Sequence, residues 1–485
     1  MLMRRKVGWL FLLPLLLSGC LSVALNAGFD EVRATVEERS ATKIFWNNGT
    51  DLDKEAAGKV SALLESKLTA DEAVQIALLN NRELQAIYSE LGVAQADLVQ
   101  AGLLRNPIFD AAVKFPTSGG RPELEFSAAM NFLDLFYMPL RKRLAAARFE
   151  EAKTRVTGTV LDFAARVRNA YYAHQANEQM LELRQTIVQV LDASFEVMRR
   201  LHESGNVNDL DFAQERALLE TGKLALRSAE LAVRQSRENL NVLMGLWGKE
   251  TEWQTDNRLP DIPEQPMQTE SIERIALERS VDLLNARQRL IFAGEQLGFN
   301  RWTALVPEFD LGPIGKREDG LWLVGPTLEF PIPLFDQGQA RIGRAAAELR
   351  RAQYEYYALG VRIRATARAV RDRLEAARDR ALYYRDIVLP LREWIVNEAQ
   401  LQYNAMQLGP FQLLRAKEQQ IETAVGYIAA LREYWLATGD AGQLLSGRIP
   451  DSGTGAMSGI ARQHEWHSQT NRHERYARTL IEEGS

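Results

Sequence analysis

The sequence predicts a mainly α-helical chain with a membrane β-barrel portion, built by duplicating a helix–β-hairpin–long helix–helix unit. Three observations predict it. Short segments recur at an offset near 200 residues, two stretches hold a seven-residue apolar repeat over many helical turns, and four segments of about ten residues alternate apolar and polar side chains.

The N-terminus comes first. Arg4, Arg5 and Lys6 precede an apolar run, residues 7–17, that is too short to span a bilayer, which is the layout of a secretory signal peptide. The run closes on Leu17, Ser18, Gly19 and Cys20, which resembles the bacterial lipobox, and Cys20 is the expected lipidation site. Two or three acyl chains, at ~0.8 kcal/mol per buried CH₂, anchor a chain stably. Residue 21 is Leu, where an Asp retains such lipoproteins at the inner membrane, so the expected destination is the outer membrane, with the chain extending into the periplasm. Residues 1–19 are thus read as signal peptide and 20–67 as a lipidated N-terminal segment. Three positive and no negative charges leave with the signal, so the net charge moves from -5 to -8.

The duplication follows. Ile76, Ala77 and Leu78 parallel Ile275, Ala276 and Leu277; Pro107, Phe109 and Asp110 parallel Pro307, Phe309 and Asp310; Ala145, Ala146 and Ala147 parallel Ala345, Ala346 and Ala347. The first repeat is set at 68–246 and the second at 270–447. Residues 247–269 join them as an equatorial linker carrying Pro260, Pro263 and Pro266. A polar tail, 448–485, holds His464, His467 and His473.

In the first long helix Val160, Val167, His174, Leu181, Val188, Phe195 and His202 recur every seven residues; in the second Ile342, Leu349, Tyr356, Ile363, Val370, Ala377, Tyr384 and Leu391 do the same. That period means coiled-coil-like packing, and a helix of about 65 residues is ~100 Å long. Pro390 is expected to kink the second. Each long helix turns into a shorter one. In the first turn Gly205 can take a left-handed C-cap and Asn208 or Asp209 an N-cap; in the second Gly409 is expected to stop one helix and Pro410 to start the next.

The strands are expected at about 107–116, 123–132, 305–314 and 321–330, with polar, glycine-rich tips at 117–121 and 315–320. Phe109, Val113, Phe126, Met130 and Trp322 fall on one side. Asp110, Lys114, Glu123, Glu125, Glu308, Asp310 and Glu329 fall on the other, the expected barrel lumen. Four strands alone leave open edges that lipid cannot satisfy, so they must close with copies. Two copies give eight strands and a filled interior, three give twelve and room for a lumen; spacing leaves the number open.

Composition removes other classes. One cysteine excludes a disulfide framework and a cysteine-built zinc site, and a net charge of -5 is not that of a nucleic-acid binder. There is no glycine-rich phosphate loop, nucleophile elbow or HExxH, so the chain is not read as an enzyme, and no cofactor or resident metal is expected.

Residues 330–338, Phe-Pro-Ile-Pro-Leu-Phe-Asp-Gln-Gly before an Arg/Ala-rich helix, together with the lipobox and the duplicated unit, resemble the outer-membrane efflux proteins of the TolC type over roughly residues 65–447. The first repeat departs from that pattern at residues 136–140. The resemblance implies a homotrimer with one twelve-stranded barrel in the outer membrane on a twelve-helix periplasmic α-barrel. It implies a passive exit duct of a tripartite efflux pump, served by a periplasmic adaptor and an inner-membrane pump, for drugs or heavy-metal cations. It places adaptor docking at the helical tips, Gly205, Asn206, Val207, Leu408, Gly409 and Pro410. Asp209 and Asp211, just past the first tip, are the candidate gate. The other reading is a periplasmic coiled-coil adaptor or structural lipoprotein without a pore; it gives no reason for the apolar strand side.

Overall fold

The computed structural model describes residues 24, 26–115, 117, 121–305, 308–318 and 321–450. Cys20, the signal segment, and His464, His467 and His473 lie outside the described residues. Within the unit that ends at Arg448 the element order repeats. Helices α3 (Ala70–Asn80) and α4 (Arg82–Ala101), strands β2 (Ile108–Lys114) and β3 (Glu123–Asn131), and helices α5 (Asp134–Glu203) and α6 (Asp209–Met244) form one set. The second set is α7 (Ile272–Glu278), α8 (Val281–Leu305), β5 (Asp310–Glu318), β6 (Leu321–Glu329), α9 (Gln339–Tyr383), α10 (Leu389–Asn404) and α11 (Pro410–Leu445). Helices α6 and α11 each have 36 residues.

Local chemistry sets the boundaries. Thr69 and Glu72 form a reciprocal capping box at the start of α3. Asn81 accepts from Glu83 and Leu84 N–H to cap α4, while its amide donates to the carbonyls of Val242 and Leu243 at the end of α6. Gly245 then takes φ +68, where a Cβ would press on the Asn80 and Asn81 backbone.

Two helices in the N-terminal segment were not foreseen: α1 (Phe29–Ser40) and α2 (Asp51–Leu64). Phe29, Trp46 and Tyr88 pack ring to ring and join the core formed by α3, α4 and the middle of α5, where Val156, Val160 and Val167 are wholly buried. The linker is also built in. Strand β4 (Gln254–Thr255) pairs in parallel with β1 (Lys67–Leu68), Trp253 is buried, and the Trp435 indole donates to the Pro260 carbonyl at 2.9 Å. Trp247, at the start of the linker, is 81% exposed. Arg448 closes the unit: its guanidinium bonds Asp162 of α5 and Asp282 of α8.

The first heptad seam is buried or half-buried along α5. The second holds as far as Tyr384 and then slips, because residues 384–388 form a wide π-type turn ahead of Pro390. Proline offers no N–H to residue 386, and the wide turn absorbs one extra residue. Leu391 therefore rotates out to half exposure, and Arg392 turns toward α11 to reach Gln419 at 2.7 Å.

Strands β2, β3, β5 and β6 lie in that order in one antiparallel sheet, with β2 and β6 as open edges within the chain. The third strand lies later than expected. Helix α8 runs to Leu305 and β5 occupies 310–318, so residues 315–318, read as part of a polar tip, are strand, and Glu308 precedes it.

Candidate functional site

The register decides what each face of the sheet carries. Ala111 is opposite Phe126, Phe126 opposite Gly315, and Gly315 opposite Val324. One face thus presents Phe109, Val113, Phe126, Met130 and Trp322, with Phe109–Phe126 and Phe126–Trp322 stacked at 6.2 Å between centroids. All five are exposed. Gly315 leaves the gap across which the Phe126 and Trp322 rings meet.

The opposite face holds Asp110, Lys114, Glu123, Glu125, Asp310 and Glu329. Lys114 Nζ pairs with Glu125 at 2.9 Å and Lys316 Nζ stands 3.7 Å from Glu123. Lys316 was missed because it had been placed in a tip. With it in the strand, the acidic face is partly neutralised. Gly312 is the position where β5 comes nearest β3: a Cβ there would fall 1.6 Å from the Ala128 carbonyl oxygen.

The two helical turns are copies of one another. Gly205 N–H donates to His202 O and Asn206 N–H to Leu201 O; Met406 N–H donates to Tyr403 O and Gln407 N–H to Gln402 O, at 2.9 to 3.0 Å throughout. The left-handed position is Gly205 in the first (φ +78) and Met406 in the second (φ +58). Gly409, expected to stop the helix, is extended and serves as the N-cap before Pro410, whose backbone alone is described. An L side chain in the left-handed region costs roughly 1–2 kcal/mol, yet Met406 is both there and 95% exposed. Gly205, Asn206 and Gly409 are otherwise held by ordinary turn chemistry. Val207 and Leu408 occupy matching positions.

Asp209 and Asp211 are not equivalent. Asn208, not Asp209, caps α6, accepting from Asp211 N–H at 2.8 Å and donating to Asp211 Oδ2 at 3.0 Å. Asp209 instead meets His202 Nε2 at 2.7 Å, and the His202 ring stacks on Phe212. Asp211 lines a cleft of about 540 Å³ between α5, α6 and α11, together with Met198, Glu215, Leu218, Arg415 and Glu418. Glu215 is 3% exposed, and its Oε1 has no hydrogen-bond partner among the described residues. The sequence hid Glu215, because a glutamate on an amphipathic helix reads as a solvated face.

His174 sits wholly buried on the α5 seam. Its Nδ1 is 2.8 Å from Ser236 Oγ, and its Nε2 stands 3.4 Å from Glu178 Oε1, a long electrostatic contact. Burial pushes the Glu178 carboxyl up, but the facing His174 ring and the hydrogen bond from Thr255 outweigh it and hold the group below the usual carboxylate range.

Comparison with known proteins agrees with this architecture. The sequence model of the outer membrane efflux protein family matches residues 73–246. The cobalt-zinc-cadmium resistance protein CzcC of Cupriavidus metallidurans is 22% identical over 378 residues, covering 76% of this chain and 88% of that protein. The probable efflux pump outer membrane protein TtgC of Pseudomonas putida is 25% identical over 297 residues, covering 54% of this chain and 59% of that protein. A solved structure of CusC superposes with a TM-score of 0.64 at 14% identity, covering 79% of this chain and 92% of that one. With the duplicated helical hairpins and the two-faced sheet, these matches show that the chain resembles outer membrane efflux proteins in its first repeat and shares the fold of the solved CusC structure.

Proposed function

We propose that the chain is the exit duct of a tripartite efflux pump, a passive outer-membrane channel fed by an inner-membrane pump through a periplasmic adaptor. The observation that carries this reading is the open-edged sheet with one exposed apolar face and one charged face. Lipid suits the first and water the second, and the open edges demand further copies. Four antiparallel strands put β2 and β6 in opposite directions, so β6 of one chain can meet β2 of the next and continue the alternation. A head-to-tail contact of this kind closes into a ring when the rotation between neighbours divides the full circle. Eight strands would force Asp110, Glu123, Glu125, Asp310 and Glu329 into a filled interior, at a cost of several kcal/mol for each unpaired charge. Twelve strands from three chains leave them in water. The same ring would cover apolar stripes left exposed among the described residues: Leu210, Leu224 and Leu231 on α6, and Tyr383, Ile387 and Trp394 along the second long helix.

Residues 68–246 and 270–447 are then the two repeats, and Cys20 adds a lipid anchor. The turns at Gly205–Asn206–Val207 and Leu408–Gly409–Pro410 meet the adaptor, with Met406 as the projecting side chain of the second. Asp209 and Asp211 stand at the tunnel mouth as gate groups. The relatives' names cover heavy-metal cations and an efflux pump, and the cargo is proposed within drugs and such cations. Full-length protein with Cys20→Ser tests the pore reading. It is expected to require detergent and to conduct ions in a planar bilayer; protein that stays soluble without detergent would sink the idea.

A further inference from the structure

We propose that the helix ends beneath the sheet form a basic and aromatic collar that binds anionic phospholipid headgroups of the leaflet facing the periplasm. The proposal rests on the reading of the sheet as a membrane barrel. Helices α4, α5, α8 and α9 all meet the sheet at the same side, since α4 and α8 end just before β2 and β5, and α5 and α9 begin just after β3 and β6. Side-chain contacts tie these ends in pairs. Arg105 and Arg141 both reach Asp134, at 3.6 and 3.2 Å, and Gly338 packs against Ala304.

The charge at this level is one-sided. Residues 101–105, 132–143, 299–304 and 330–344 contain seven lysines and arginines against two aspartates, Asp134 and Asp336. Asp134 is buried and already shared by Arg105 and Arg141. Lys142, Arg143, Arg301 and Arg341 are exposed, and no ion pair among the described residues involves them. Glu308, Asp310 and Glu329 also lie near this level, the last two on the polar face of the sheet.

Apolar side chains share the collar. Phe136, Trp302 and Phe335 are exposed, the last by 92%. Phe136 packs edge-on against Phe132 at 5.8 Å, and Phe132 continues the apolar face of β3. The collar is therefore continuous with the surface that would face acyl chains. Long cationic side chains beside aromatic rings, at the end of an apolar strand face, match the headgroup zone: rings sit at the interface and cations reach the phosphates. Four cations without carboxylate partners favour phosphatidylglycerol and cardiolipin over a zwitterionic lipid.

The test inserts the full-length protein into vesicles of phosphatidylethanolamine, phosphatidylglycerol and cardiolipin. It is then extracted gently, and the lipids retained are counted by mass spectrometry. The expected result is enrichment of anionic lipid on the order of fivefold over the vesicle composition. Replacing Lys142, Arg143, Arg301 and Arg341 by Gln is expected to return the ratio to that of the vesicle at unchanged total lipid. The charge-keeping variant Arg143→Lys, Arg301→Lys, Arg341→Lys is expected to retain the enrichment. An inserted wild-type protein with vesicle-ratio lipid, or a Gln variant that keeps its enrichment, overturns the collar. A protein that never enters the vesicles overturns the barrel reading, and the collar with it.

Discussion

Replacing Phe126 by Arg tests the assignment of the sheet faces. Phe126 lies one residue from the centre of the nine-residue β3. Strands rise ~3.3 Å per residue and tilt by ~40° in a membrane barrel, which puts Phe126 about 3 Å from the bilayer midplane. An Arg facing lipid at that depth costs about 2–4 kcal/mol. The substitution also removes stacking on Phe109 and Trp322, each contact worth about 0.5–1.5 kcal/mol. The expected loss is therefore about 3–7 kcal/mol per chain. The neighbouring Ser127 faces the other way, directly across from Asp110. Ser127→Arg places a cation opposite a carboxylate on a wet face, and its effect should stay within about 1 kcal/mol. Reversible urea titration of folding into short-chain lecithin vesicles measures both. Equal costs for the two variants, or a Phe126→Arg cost under about 1 kcal/mol, would refute the reasoning.

Three further outcomes are expected. Met406→Gly relieves the left-handed strain at the second tip and should raise stability by up to about 1 kcal/mol, yet weaken adaptor binding; a denaturation midpoint and a pull-down with the adaptor read the two signs, and unchanged binding would remove Met406 from the contact. Arg448→Met leaves Asp162 and Asp282 without their shared cation, and a loss of about 3 kcal/mol is expected on thermal unfolding; an unchanged midpoint would show that the clasp contributes nothing. The Glu178 carboxyl is depressed in the folded chain, so its contribution is fully present above its unfolded value of 4.5 and is lost as the pH falls through the folded value. Thr255→Val should start the acid-induced loosening of the segment around His174 at higher pH, as read by hydrogen exchange; identical acid profiles would contradict that.

The helical repeats were legible because periodicity is redundant. A seven-residue pattern over sixty residues survives single interruptions, and α6 and α11 reproduce one another. The seam failed where the chain departs from one repeat per two turns, at the π-type turn ahead of Pro390. The third strand was misplaced by about five residues because Gly312, Pro313 and Gly315 break the alternation that marked β2 and β3. Glycine at 312 answers to a close strand approach, and glycine at 315 to a ring packed across it, neither of which is visible in a linear pattern. At the tips, Gly409 looked like the helix stop, since glycine is the usual residue there. The left-handed position belongs to Met406, three residues earlier, and only the hydrogen-bond pattern shared with Gly205 reveals it. Helix α1 was missed because residues far along the chain stabilise it, Tyr88 against Phe29 and Lys153 paired with Glu31.

The central claim is that three chains close one barrel across the outer membrane. Electron cryo-microscopy of the full-length protein in a lipid nanodisc tests it most directly. The expected image is a threefold assembly with twelve strands inside the disc, β6 of each chain hydrogen-bonded to β2 of the next. A different number of chains around the barrel, or a sheet lying outside the lipid, would contradict the account.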